Sequence, residues 1–209
     1  MKKKVILLAV AMSIFTASQA VASVIPPIGG NSAGSTYVDT AGNTWLPVPV
    51  YSVENGWGRG ASYRGYAHSN PIANTEDDVL FQSGHYYSAT PMEYMLDLEN
   101  GSYVVDLLFA ENYYTEAGHR IFDVAMEGGI VLDDFDIVAQ AGAINTALIK
   151  TIPVEVTDGQ LNITFTGVGP DKNAEICGVY VNTVPEPATM LLLGSGLGGI
   201  FAFGRKKRK

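Results

Sequence analysis

Apolar and polar side chains alternate with period two along much of this chain, the spacing of a strand with one buried face. Ile152, Val154 and Val156 alternate with Pro153 and Glu155, and Leu161, Ile163 and Phe165 alternate with Asn162 and Thr164. Asp158-Gly159 lies between the two runs, so the pattern predicts a hairpin there. Pro153 cannot donate to a ladder, which puts its strand at a sheet edge or bulge. A second hairpin is expected across Asn100-Gly101, joining 93–98 to 103–109, and a third turn at Gly128-Gly129, between 120–127 and 130–132. Residues 176–181 read as a last strand. Only 140–149 has helical character, and Gly142 weakens it. Many short strands, Gly-rich turns and no internal repeat predict an all-β fold, an antiparallel β-sandwich or jelly roll.

The alternation stops at both ends, where apolar residues run together. Lys2, Lys3 and Lys4 precede the apolar run Val5 to Phe15, and Ala20-Val21-Ala22 supplies small residues before Ser23. That order predicts a signal peptide over 1–22. Residues 23–36, rich in Gly, Ser and Pro, read as a leader loop. At the other end, Val184, Pro185, Glu186 and Pro187 precede an apolar run from Ala188 to Phe203, and five basic residues, Arg205 to Lys209, close the chain. The run would be about 24 Å long as a helix, short for a hydrocarbon core of about 30 Å, with the basic side chains able to snorkel at its end. Those cations place that end in the cytoplasm and the domain before it outside. This ending resembles the PEP-CTERM sorting signal of exosortase substrates in Gram-negative bacteria. The resemblance implies transient anchoring in the inner membrane, processing by an exosortase-type enzyme near Pro185-Glu186-Pro187, and delivery to the cell surface or extracellular matrix.

The two ends also mask the charge of what they flank. Of 13 basic residues only Arg59, Arg64, Arg120, Lys150 and Lys172 lie between them, against 20 of the 21 acidic residues, so residues 23–183 carry −15 where the whole chain carries −8. Such a domain repels nucleic acid and anionic lipid. About 161 residues form one domain with a sizeable core, its strands running from 37 to 183. Cys177 is the only cysteine, which excludes an internal disulfide; between Ile176 and Gly178-Val179 it reads as a small buried hydrophobe.

All 11 tyrosines and both tryptophans fall in the domain, with only five of the eight phenylalanines. A tyrosine offers an apolar face and a polar tip, the pairing that sugars require. Tyr63, Tyr66, Tyr86, Tyr87, Tyr113 and Tyr114 fall in expected loops. Asp106 and Asp123, within apolar strands, read as hydrogen-bonded structural carboxylates, and Glu111 and Arg120 as an ion pair. The three histidines lack metal-ligand spacing. No cofactor is expected. Asp133, Asp134 and Asp136, or Glu76-Asp77-Asp78, offer hard oxygen ligands for calcium, although acidic loops more often serve simply as solvated surface. No H-E-x-x-H or phosphate loop is present, and no carboxylate pair can be assigned to glycoside hydrolysis.

Residues 56–181 resemble the malectin-like carbohydrate-binding domains. The matching blocks are Gly56-Trp57-Gly58, 74–82 (NTEDDVLFQ), 101–114 (GSYVVDLLFAENYY), 118–124 (GHRIFDV), 131–137 (VLDDFDI), 158–163 (DGQLNI) and 173–179 (NAEICGV). The segment 37–45 is similar to the family's opening strand and turn. The resemblance implies a β-sandwich that binds oligosaccharide, of glucose type in its best-known members, among loop aromatics and an aspartate. It assigns Tyr113 and Tyr114 to the family's adjacent aromatic pair and Tyr86 to the tyrosine closing the Leu-aromatic-Gln block, where Gly84-His85 departs from the family's Glu-Arg. Tyr63 is the nearest counterpart of an earlier binding tyrosine, with Tyr66 the competing candidate. Asp171 is the nearest counterpart of a late binding aspartate. The implied function is non-catalytic carbohydrate binding by an exported protein; the alternative is a structural or adhesive matrix protein that binds other proteins.

Overall fold

The computed structural model describes residues 28–29, 35–88 and 90–184. The expected signal peptide, most of the leader and the sorting tail from Pro185 onward lie outside the described residues. The strands are β1 (Ile28–Gly29), β2 (Tyr37–Val38), β3 (Thr44–Pro47), β4 (Trp57–Arg59), β5 (Arg64–Ala67), β6 (Ser83–Tyr87), β7 (Met92–Asp97), β8 (Gly101–Phe109), β9 (Ile121–Met126), β10 (Gly129–Asp136), β11 (Leu148–Val156), β12 (Gln160–Gly167), β13 (Ala174–Ile176) and β14 (Gly178–Thr183). Two short helices, α1 (Asp78–Phe81) and α2 (Ile137–Ala141), interrupt them.

The strands form a sandwich with a small third sheet. One face is six-stranded, in the order β11-β8-β14-β1-β3-β2; the other is five-stranded, β10-β9-β12-β7-β4; a three-stranded sheet, β13-β6-β5, sits beside them. Pairing is antiparallel within the named sheets except between β1 and β3. The alternation read from the sequence sets the inner faces. Phe122, Val124 and Met126 of β9 and Leu161, Ile163 and Phe165 of β12 point inward against Tyr103, Val105 and Leu107 of β8. At its far end β8 buries both faces, because Leu108 and Ala110 pack outward with Trp45, Ile72, Leu80, Phe81 and Cys177 in a second core.

Two expected hairpins are not hairpins. β11 pairs with β8 in the six-stranded sheet, whereas β12 pairs with β7 and β9 in the five-stranded one. Asp158-Gly159 therefore carries the chain from one sheet to the other. Asn100-Gly101 does the same between β7 and β8, and Asn100 Nδ2 donates to Thr157 O at 2.8 Å, tying the two crossings together. Period-two alternation marks a buried face, but a strand in either layer has one, so the pattern does not choose the partner. The third turn is a true hairpin between β9 and β10, one residue earlier than expected: Met126 pairs with Gly129. Glu127 (φ 50°) and Gly128 (φ 76°) both take the positive φ of a type I′ turn. Pro153 does lie on an edge strand, since β11 ends its sheet.

Other differences are local. Helix α2 starts earlier and is shorter than the sequence suggests; Asp136 caps it through Ala139 N, and Gly142 closes it. The leader contributes β1, which pairs with β14 and β3. The last strand is split at Cys177, whose N–H turns to Leu108 O at 2.8 Å. Cys177 is fully buried and its thiol is pushed up by that burial, so it stays protonated packing material. No helix among the described residues is long and apolar enough to cross a membrane.

Candidate carbohydrate-binding site

Beyond the last residue of β8 the chain must leave the sandwich, and Glu111 fixes how it does so. The side chain is fully buried. Its Oε1 accepts from the backbone N–H groups of Tyr113 (2.9 Å) and Tyr114 (3.0 Å), which folds the loop and presents both rings. Its Oε2 accepts from Arg120 Nε at 2.5 Å. Arg120, 5 % exposed, reaches on through Nη2 to Glu175 Oε2 of β13 at 2.8 Å. The Tyr66 hydroxyl of β5 donates to the other oxygen of Glu175 and lies 3.4 Å from Cys177 Sγ. One guanidinium thus holds two buried carboxylates. The Glu111–Arg120 pair read from the sequence is present, and Glu175 is the third member the sequence reading missed.

Above this network lies an open cavity of about 360 Å³, lined by Tyr66, His68, Tyr86, Asn112, Tyr113, Tyr114, Arg120, Asn173 and Glu175. That volume falls in the lower range of small-ligand clefts. Tyr113 is 70 % exposed and meets Tyr114 edge to face, the centroids 4.9 Å apart. Tyr114 is held from two sides: Arg120 Cζ lies 5.0 Å from its ring centroid, and His119 stacks flat on it at 5.1 Å. Tyr66 and Tyr86 face each other across β5 and β6 at 6.2 Å. Four buried side-chain polar atoms lack a partner among the described residues; three belong to lining residues, Asn112 Oδ1, Arg120 Nη1 and Asn173 Oδ1. Buried polar atoms are seldom left in this condition.

Burial and the neighbouring Glu111 push the Glu175 carboxyl up to about 7, against the opposing pull of Arg120 and Tyr66. Arg120 is held firmly cationic because its two carboxylates outweigh its own burial.

Three of the tyrosines singled out in the sequence, Tyr86, Tyr113 and Tyr114, line this cavity. Tyr63 is not among its lining residues. It stacks instead on the Arg59 guanidinium, 3.1 Å from Cζ to ring centroid, and touches His85 edge-on; Tyr66 is the lining residue from that segment. Asp171 is not a lining residue either, but it pairs with His119 Nδ1 at 3.5 Å and so braces the ring stacked on Tyr114. His68, Asn112, Asn173 and Glu175 were not singled out. The available signal was Glu175, a lone charge in the apolar run Ala174 to Val179. The departure at Gly84 also has a reason. A Cβ there would lie 2.6 Å from Ile176 O and 2.7 Å from the Tyr66 hydroxyl, so only glycine admits Tyr66 over β6.

The acidic loops take several roles. Asp123, Asp133 and Asp134 come together, their carboxylate oxygens within 4.8 Å, and Asp123 already accepts from Asp134 N. Asp136 caps α2. Asp77 accepts from Tyr37 and Thr40. Asp106 accepts from Thr151 Oγ1 at 2.6 Å.

An antiparallel β-sandwich with an aromatic cavity at the end of β8 defines the class. Residues 30–178 match the Malectin domain, and residues 183–209 match the PEP-CTERM protein-sorting motif. The chain belongs to the malectin family of carbohydrate-binding domains. It is 31 % identical to human malectin over 165 residues, which covers 72 % of this chain and 54 % of that protein. It is 30 % identical to a probable leucine-rich repeat receptor-like serine/threonine-protein kinase of Arabidopsis thaliana, over 82 % of this chain and 20 % of the kinase. The chain thus spans about half the length, or less, of these relatives. Among solved structures it shares its fold with the ANXUR2 extracellular domain of Arabidopsis thaliana (TM-score 0.67, 12 % identity, 78 % of this chain and 49 % of that one). It also shares it with a β-glucuronidase of Bacteroides uniformis (TM-score 0.63, 20 % identity, 72 % and 17 %). At these identities the likeness is one of fold alone.

Proposed function

We propose that this is an exported, non-catalytic carbohydrate-binding protein that takes a neutral oligo- or polysaccharide, of glucose type, in the cavity above Arg120. The observation that carries the reading is the set of unpartnered atoms on lining residues, two acceptors and one donor, in a cavity that also presents the exposed Tyr113 ring and the half-buried Tyr66, Tyr86 and Tyr114 rings. A sugar hydroxyl both donates and accepts, and a pyranose C–H face stacks on an aromatic ring. Tyr86, Tyr113 and Tyr114 contact the ligand in this reading, Tyr66 serves where Tyr63 was expected, and Asp171 acts through His119. The signal peptide and the PEP-CTERM tail support export across the inner membrane of a Gram-negative bacterium, processing by an exosortase-type enzyme, and display at the cell surface or in the matrix.

A glycan screen on the exported domain, compared with its Tyr113→Ala variant, tests this. Binding of a glucose oligosaccharide by the parent and its loss in the variant is the expected result. Failure to bind any glycan, with retained binding to matrix proteins, would replace this reading by the structural or adhesive one.

A further inference from the structure

The point at which the chain leaves the sandwich is fixed relative to the cavity. β14 runs antiparallel to β8, from Gly178 opposite Leu108 to Thr183 opposite Tyr103. Val184, the first residue of the sorting motif, donates its N–H to Ser102 O at the opposite end of β8 from the cavity loop. Glu111, Asn112, Tyr113 and Tyr114 follow Phe109, the last residue of β8, with one residue between. Gly101 and Phe109 are on the order of 26 Å apart along the strand at about 3.3 Å per residue. The cavity and the tail thus occupy opposite poles. The tail pole is closed by the two crossings between sheets, with Glu99, Asn100, Thr157 and Asp158 exposed there.

The tether is short. Only Pro185, Glu186 and Pro187 separate Val184 from the apolar run beginning at Ala188, a reach of at most about 14 Å for fully extended chain. A domain of charge −15 is repelled from anionic lipid, so it does not lie down on the bilayer to bring its other pole into contact.

Resting on the reading of the tail as an anchor and the cavity as a glycan site, we infer that the cavity faces away from the bilayer while the tail is still attached. The anchored chain is then already a competent receptor. It takes soluble or polymeric glycan from the extracytoplasmic space and does not read sugar headgroups of the membrane that holds it.

The test uses the full chain in anionic nanodiscs and in detergent. Single cysteines at Glu99→Cys, on the tail pole, and Glu116→Cys, on the exposed loop of the cavity pole, carry a donor dye, and the discs carry acceptor lipid; Cys177 is buried and does not compete for label. Stronger energy transfer from position 99 than from 116 is expected. So is affinity for a soluble glucose oligosaccharide within about twofold between disc and detergent, with no binding to a glucosylated lipid in the same disc. Equal or stronger transfer from position 116, a tenfold loss of affinity in discs, or engagement of the lipid-borne sugar would overturn the inference. If neither state binds any oligosaccharide, the glycan reading fails, and the two dyes still decide the orientation.

Discussion

Glu111 holds Arg120 at 2.5 Å with one oxygen and the Tyr113 backbone at 2.9 Å with the other, so one buried carboxylate both satisfies the cavity's cation and shapes the loop that displays its most exposed ring. Removing one partner of such a pair leaves a buried charge under-compensated, at a cost of about 3–5 kcal/mol. Glu111→Ala is therefore expected to lower the unfolding midpoint strongly, and Glu111→Gln, which keeps an acceptor for Tyr113 N, to lower it less. Denaturant unfolding of the two variants measures the difference.

Tyr113 and Tyr63 should separate binding from stability. Tyr113 is exposed and packs only on Tyr114, so Tyr113→Ala is expected to weaken sugar binding about tenfold, the worth of one stacking contact, with the unfolding midpoint almost unchanged. Tyr63 covers the buried Arg59, so Tyr63→Ala is expected to destabilise the fold and leave affinity near the parent value. Calorimetric titration beside thermal unfolding distinguishes the two outcomes.

Two buried groups give the pH dependence opposite signs. Glu175 is raised from 4.5 to about 7, so the folded state binds its proton more tightly and this group's contribution falls as pH rises from about 4.5 through 7. His85 is lowered from 6.5 to about 4, first by burial and then by Arg59, so its contribution falls as pH drops from about 6.5 through 4. Each amounts to roughly 3 kcal/mol at about 1.36 kcal/mol per pH unit. The two largely cancel between pH 4.5 and 6.5. Glu175→Gln is expected to unmask the histidine, giving a variant whose stability declines on acidification through that window more steeply than the parent's. Urea unfolding across the window checks it.

Gly84 and Tyr66 form a matched pair. Gly84→Ala is expected to displace the Tyr66 hydroxyl from Glu175, because Ile176 O blocks the only other direction of relief. Both affinity and stability should fall. An Ala at 84 that left sugar binding intact would mean that Tyr66 does not shape the site.

What the sequence made legible was layer chemistry rather than connectivity. Phe122, Val124 and Phe165 announce buried faces, and Pro153 announces an edge, because side-chain alternation and a missing N–H are local properties. The partners of β11 and β12 are not local; they depend on which layer the chain enters after Gly159, and Asp158-Gly159 serves a crossing as readily as a hairpin. The site divides the same way. The Tyr113-Tyr114 pair and the Glu111–Arg120 contact could be read from short blocks. Glu175, more than fifty residues further on, joins them only because β13 pairs with β6. Tyr63 and Tyr66 lie three residues apart, Tyr63 the nearer counterpart in the sequence and Tyr66 its competitor, and only the fold turns one toward Arg59 and the other toward Glu175.

On the proposed export route, the placement of β14 sets when the domain can close. This last strand lies between β8 and β1, inside the six-stranded sheet, and the residues it pairs with were made some seventy positions earlier or at the very start of the domain. One edge of β1 and one long edge of β8 lack their neighbour until Thr183 has emerged from the translocation channel. Such long-range closure is slow and comes late. On that route the chain can therefore thread through the channel before the sandwich is finished, because the domain locks only once β14 is available to pair with β8 and β1.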